Sequence, residues 1–183
     1  MKFLKKPVLP IAMFSIFAMT SHQALAADSV NGTVGVTMNV TGSCLINGGQ
    51  VSNGGSFGNL DFGSQISLFD TAGATVKSSG GSLLTIQCNA GSSSTPTMTL
   101  ISGANDASAT SSYNHAMKNG SSYINYSLYK DSGYTSVINP NDAFFSSRND
   151  GSTETVAIYA KAVGANGLAV GLYTDTITLK IDF

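Results

Sequence analysis

An all-β domain is the fold class this sequence predicts, and three observations predict it. Charged residues are only 10% of the 183, against roughly a quarter in a typical soluble domain. The hydrophobic fraction is an ordinary 42%, so a core can form, and the polar remainder is mostly Gly, Ser, Thr and Asn. Apolar residues recur with period two along several stretches, and turn dipeptides separate those stretches. The same composition excludes other classes. A long helical bundle needs abundant Ala, Glu, Lys and Leu, and a disordered tail needs high net charge with little apolar content. Nine Lys+Arg against ten Asp+Glu give no basic footprint for a nucleic acid.

The chain opens with an export signal. Lys2, Lys5 and Lys6 form a positive start, an apolar run follows from Val8 to Met19, and Ala24-Leu25-Ala26 supplies the small residues of a cleavage site. The rival reading, a membrane anchor, is disfavoured by Pro10 and by a run well short of the about 20 residues a spanning helix needs. Removing residues 1–26 takes away three lysines and no acid. What remains is 157 residues with six basic and ten acidic groups, net −4, room for one domain.

The first strand predicted is residues 30–41. Val30, Gly32, Val34, Val36, Met38 and Val40 fall on one face, with Asn31, Thr33, Gly35, Thr37, Asn39 and Thr41 on the other. Cys44 and Cys88, the chain's two cysteines, come next. An even count in an exported chain reads as a disulfide, here closing a loop worth about 4 kcal/mol of chain entropy. A metal site would need further ligands at short spacing, and His115, the one histidine of the mature chain, is far from both in sequence.

Further strands are predicted at Phe57–Phe62, Leu83–Cys88, Thr97–Ile101, Tyr123–Tyr129 and Thr155–Val163. Asn47-Gly48, Asn53-Gly54, Ser79-Gly80-Gly81, Asn119-Gly120 and Asn166-Gly167 mark turns among them. The polar stretch Ala104–Ser122 is predicted to be a loop with at most a short helical turn. The last strand places Tyr173, Ile177, Leu179, Ile181 and Phe183 on one face, opposite Thr174, Thr176, Thr178, Lys180 and Asp182. Two of the clearest strands are thus the two ends of the mature chain. Some seven strands in 157 residues fit an immunoglobulin-like sandwich.

Catalytic chemistry finds no support. His115 sits among polar neighbours, Tyr113-Asn114-His115-Ala116, and reads as a solvated histidine. There is no Gly-x-Ser-x-Gly elbow. Glu154 and the scattered Asp residues flank turns, where solvated turn formers are the ordinary case. The glycine-rich stretch Gly54–Asp61 occurs once and lacks the spacing of a calcium repeat. The Asn-x-Ser/Thr triplets at Asn31, Asn39, Asn119 and Asn125 are expected by chance in this composition. No catalytic residue, metal, cofactor, small-molecule substrate or nucleic acid is expected.

Five blocks in order carry a resemblance. They are the alternating segment before Cys44, Phe57-Gly58-Asn59-Leu60-Asp61-Phe62-Gly63, Gly81–Cys88, Tyr126-Ser127-Leu128-Tyr129-Lys130-Asp131 and Gly171–Phe183. Together they resemble the spore coat protein U-like pilins, the Csu-type subunits of archaic chaperone–usher pili, over nearly the whole mature chain. Many family members carry Trp-Gly shortly after the Tyr-x-Leu-Tyr-x-Asp block. This chain has no Trp, and Gly133-Tyr134 stands nearby.

The resemblance implies an incomplete immunoglobulin-like sandwich completed by donor-strand complementation. Residues 27–41 would be the donor segment and 42–183 the pilin domain. The partners implied are neighbouring pilin subunits, a periplasmic chaperone and an outer-membrane usher. The destination implied is a fimbria on a Gram-negative cell surface, supporting attachment or biofilm formation. Val30, Val34, Val36, Met38 and Val40 would enter a neighbour's groove, and Tyr173, Ile177, Leu179, Ile181 and Phe183 would wall it. Burying five such donor side chains stabilises by roughly 8–15 kcal/mol before ordering costs. The alternative expectation is a self-contained secreted β-sandwich that binds or coats without polymerising, its N-terminal strand paired within its own domain. A tip adhesin with an additional binding domain does not fit in 157 residues.

Overall fold

The structure, a computed structural model, describes residues 29, 31–89, 91 and 94–183. The signal segment 1–26 and Val30 lie outside the described residues. The chain divides into two compact units, Met1–Met38 and Asn39–Phe183.

In the first unit the described residues carry no strand. The alternation read from the sequence is intact, with Val34, Val36 and Met38 all 87–90% exposed, but no ladder forms. A single extended segment has no backbone partners of its own, so period-two patterning yields a strand only where another strand pairs with it.

The described residues of the second unit form twelve strands and one short 3₁₀ turn. They are β1 (Ser43–Ile46), β2 (Gly49–Gln50), β3 (Thr71–Thr75), β4 (Leu84–Asn89), β5 (Thr97–Gly103), the turn Asp106–Ser108, β6 (His115–Asn119), β7 (Ser122–Tyr129), β8 (Val137–Ile138), β9 (Ala143–Ser146), β10 (Thr153–Val156), β11 (Tyr159–Val163) and β12 (Ile177–Asp182). Every strand pairing is antiparallel. Three sheets result, ordered β10-β4-β1-β2, β3-β11-β7-β6 with β8 beside β7, and β12-β5-β9. The protein is all-β, as its composition and periodicity require.

One core joins the three sheets. Ile46, Leu84, Ile86, Cys88 and Val156 come from the first, Tyr126, Leu128, Ile138, Ala160 and Ala162 from the second, and Met98 and Leu100 from the third. Successive residues on β4 alternate between buried and more exposed, Leu84, Ile86 and Cys88 facing inward, the signature of a strand with one face on the core.

The expected strand Thr155–Val163 is two strands in two sheets. β10 pairs β4, β11 pairs β3 and β7, and Ala157-Ile158 carries the chain across. The inward series Val156, Ile158, Ala160 and Ala162 runs through the crossing without a change of phase. The periodicity therefore could not reveal it.

The expected strand Phe57–Phe62 is a loop held by a single bridge, Asn59 to Lys77. Gly58 has φ 155, and a Cβ there would sit 2.5 Å from the Lys77 carbonyl oxygen. Backbone in that region leaves the strand conformation, and only glycine allows so close an approach. The Ala104–Ser122 stretch, expected to be a loop, contains strand β6 as well as the 3₁₀ turn.

Cys44 and Cys88 are directly opposite on β1 and β4 and form the disulfide expected from the sequence, with an S–S distance of 2.03 Å. Cys44→Ser should lower stability by about 4 kcal/mol, the chain-entropy value for a loop of this length, and reduce exported yield. Urea unfolding of the purified protein measures the first effect, and an unchanged midpoint would contradict it.

Candidate functional site

The last strand defines the site. β12 hydrogen-bonds to β5 on one side and has no strand on its other side among the described residues. Its outward and inward residues alternate, so Ile177, Leu179 and Ile181 turn half-buried side chains toward the core while Thr178, Lys180 and Asp182 face solvent. Such an edge presents a row of unpaired N–H and C=O groups beside an apolar face.

Along it runs an open groove of about 1550 Å³. All five residues singled out at the C-terminus, Tyr173, Ile177, Leu179, Ile181 and Phe183, line it. Ile124, Tyr126 and Leu128 of β7 line it too, as do Val51, Phe57, Leu60 and Phe62 from the loop after β2. Sequence reading missed the loop's contribution, although the Phe-Gly-Asn-Leu-Asp-Phe-Gly block that carries three of these residues was legible as a unit.

Local hydrogen bonds hold the loop in place. The Asn47 side chain donates to the Phe57 carbonyl at 2.9 Å and accepts from the Thr85 N–H of β4 at 3.1 Å. Asn59 and Lys77 exchange both backbone bonds, at 2.7 and 2.9 Å. Phe62 then meets Tyr126 edge-on, ring centroids 5.8 Å apart.

A polar cluster anchors the approach to β12. The Tyr126 hydroxyl donates to Asp175 Oδ2 at 2.7 Å. Asp175 Oδ1 accepts from the Asn105 backbone and side-chain N–H groups at 3.2 and 2.9 Å. Next to these, Asp106 Oδ2 accepts from the Gly103 N–H at 2.6 Å and Asp106 Oδ1 lies 2.7 Å from His115 Nδ1.

His115 is therefore not the solvated residue expected. It is fully buried on β6, its ring against Tyr126 at 5.3 Å. The polar neighbours in sequence misled. The compensating carboxylate lies nine residues upstream and reaches His115 Nδ1 only because the 3₁₀ turn folds back, while Nε2 is buried without a hydrogen-bond partner among the described residues. Burial, then the hydrogen bond to Asp175, pushes the Tyr126 hydroxyl up beyond the usual tyrosine range.

Val34, Val36, Met38 and Val40, at alternate positions of the chain, are 81–90% exposed. Rows of large exposed apolar side chains on soluble proteins mark interaction surfaces.

Fold and groove together define an antiparallel β protein with an apolar cleft along a one-sided edge strand. The family model of the Spore Coat Protein U domain matches residues 30–180, and the chain belongs to that family. Among solved structures it is similar to the CsuC–CsuE chaperone–tip adhesion subunit pre-assembly complex from the archaic chaperone–usher Csu pili of Acinetobacter baumannii. The identity is 18% and the TM-score 0.48, over 79% of this chain and 40% of that one. No curated protein matches the chain.

The Tyr126–Asp175 bond generates a pH prediction. In the unfolded chain a tyrosine ionises near pH ~10, whereas folded Tyr126 keeps its proton above that. The folded state then binds more protons than the unfolded one, so stability is fully present below about pH 10 and falls as pH rises further. Tyr126→Phe should make that alkaline loss shallower while costing about 1–3 kcal/mol at neutral pH, from the lost bond to a carboxylate. Urea unfolding across pH 7–11 tests both, and an unaltered alkaline slope would contradict the assignment.

Proposed function

We propose that this protein is a structural subunit of a chaperone–usher pilus, polymerised by donor-strand exchange. The observation that carries the reading is the pairing of complementary features in one chain. Residues 39–183 offer an apolar groove beside a free strand edge, and the segment before Cys44 offers exposed apolar side chains at strand spacing. An extended segment with that spacing adds to a free edge by β-augmentation, its backbone supplying hydrogen bonds and its alternate side chains filling the groove.

In this reading residues 27–41 are the donor segment and 42–183 an immunoglobulin-like domain that lacks its own final strand. Val30, Val34, Val36, Met38 and Val40 of one copy enter the groove walled by Tyr173, Ile177, Leu179, Ile181 and Phe183 of the next. A periplasmic chaperone covers the groove during export, an outer-membrane usher exchanges its strand for the neighbour's, and the fibre serves attachment or biofilm formation at the cell surface. The protein is structural rather than enzymatic. Membership of the Spore Coat Protein U domain family and the strand-free state of residues 31–41 both favour this over a self-contained module, whose N-terminal segment would be paired.

Deleting residues 28–40 should leave a chaperone-bound subunit that forms no fibres, scored by electron microscopy of surface preparations. Normal fibres from that deletion would sink the proposal. Because the contacts are apolar, fibre melting should shift little between low and 0.5 M salt, where ionic interfaces are strongly screened. A steep loss with salt would count against a groove held by apolar burial.

A further inference from the structure

The disulfide occupies a particular place relative to the two ends of the proposed interaction, and a second role follows from that place. Only Gly42 and Ser43 separate the donor segment, residues 27–41, from Cys44. Any tension on a donated strand therefore enters the fold at β1. By itself β1 is a weak anchor. It has four residues, of which only Ile46 is buried, and four register pairs with β4. Pulled from Ser43 across the strands, an antiparallel ladder of this length opens one pair at a time, because the force falls on the terminal hydrogen bonds in turn.

Cys44 is the second of those four pairs, bonded to Cys88 directly opposite. Peeling stops there. The tension passes through a covalent bond to β4, which has a strand on each side, β10 and β1, and whose Leu84, Ile86 and Cys88 are at most 1% exposed. The chain from Leu45 to Gln87 is bypassed. That bypassed loop contains Val51, Phe57, Leu60 and Phe62, which line the groove, together with the Asn47 and Asn59–Lys77 bonds that hold them.

We propose that the Cys44–Cys88 disulfide is a tension shunt, which isolates a subunit's grip on the strand it accepts from the pull on the strand it donates. This inference rests on the donor-strand reading and deepens it. The disulfide's contribution to folding is a separate matter, so the test is made on fibres already assembled.

The experiment stretches single fibres of the full-length protein by force spectroscopy, before and after treatment with dithiothreitol. Mass spectrometry of alkylated thiols from the same fibres verifies reduction. Oxidised fibres should give no extension step that includes the 44–88 loop. Reduced fibres should open at lower force and show an added step of up to about 150 Å per subunit, the extended length of the released loop.

Fully reduced fibres with the same opening force and step lengths as oxidised ones would overturn the shunt. Fibres that dissolve on reduction at zero force would overturn it too, because the bond would then be a plain folding staple. Neither result touches the donor-strand reading, which fails instead if the 28–40 deletion still makes normal fibres.

Discussion

A strand with hydrogen-bonding partners on one side only is the constraint from which the rest of this structure follows. β12 pairs with β5 and, among the described residues, has no strand along its other edge. Backbone donors and acceptors along such an edge must find water or another strand, and here they lie beside Ile177, Leu179 and Ile181, whose side chains gain nothing from water. The two demands point to one kind of occupant, an extended segment with apolar residues on alternate positions. The chain carries such a segment before Cys44, where Val34, Val36, Met38 and Val40 stand exposed.

Holding the edge open takes structure elsewhere. The cleft persists because its lining is fixed from several directions, by Asn47 and the Asn59–Lys77 bridge on the loop after β2 and by the Tyr126–Asp175–Asn105 bonds at the approach to β12. At the Tyr173 end, the Tyr173 hydroxyl hydrogen-bonds Ser122 Oγ at 2.6 Å and the Ala169 carbonyl at 2.9 Å. These polar contacts supply direction where apolar packing is non-directional. Their satisfaction lets Asp175 stand among groove residues without needing a partner from any incoming strand.

Much of this was legible from residues alone. Strands β4, β5, β7 and β12 each announce themselves by large apolar side chains at period two, and burial follows that period except at Ser127 of β7, which is buried between Tyr126 and Leu128. Strand β3 does not, because Thr71-Ala72-Gly73-Ala74-Thr75 has no large apolar residue and is a strand through its pairing with β11. His115 defeats sequence reading for the same class of reason: its partner Asp106 arrives by a turn that local composition does not encode.

By itself, then, the sequence determined an all-β chain with one disulfide and two alternating ends, since periodicity and cysteine count are local properties. The tertiary structure alone decided that Thr155–Val163 serves two sheets and that Phe57–Phe62 lines a groove as a loop. It also decided that β12 pairs with β5 alone among the described strands. Each of these depends on which strand lies next to which, and neighbours distant in the chain leave no mark on the period of the residues they pair with.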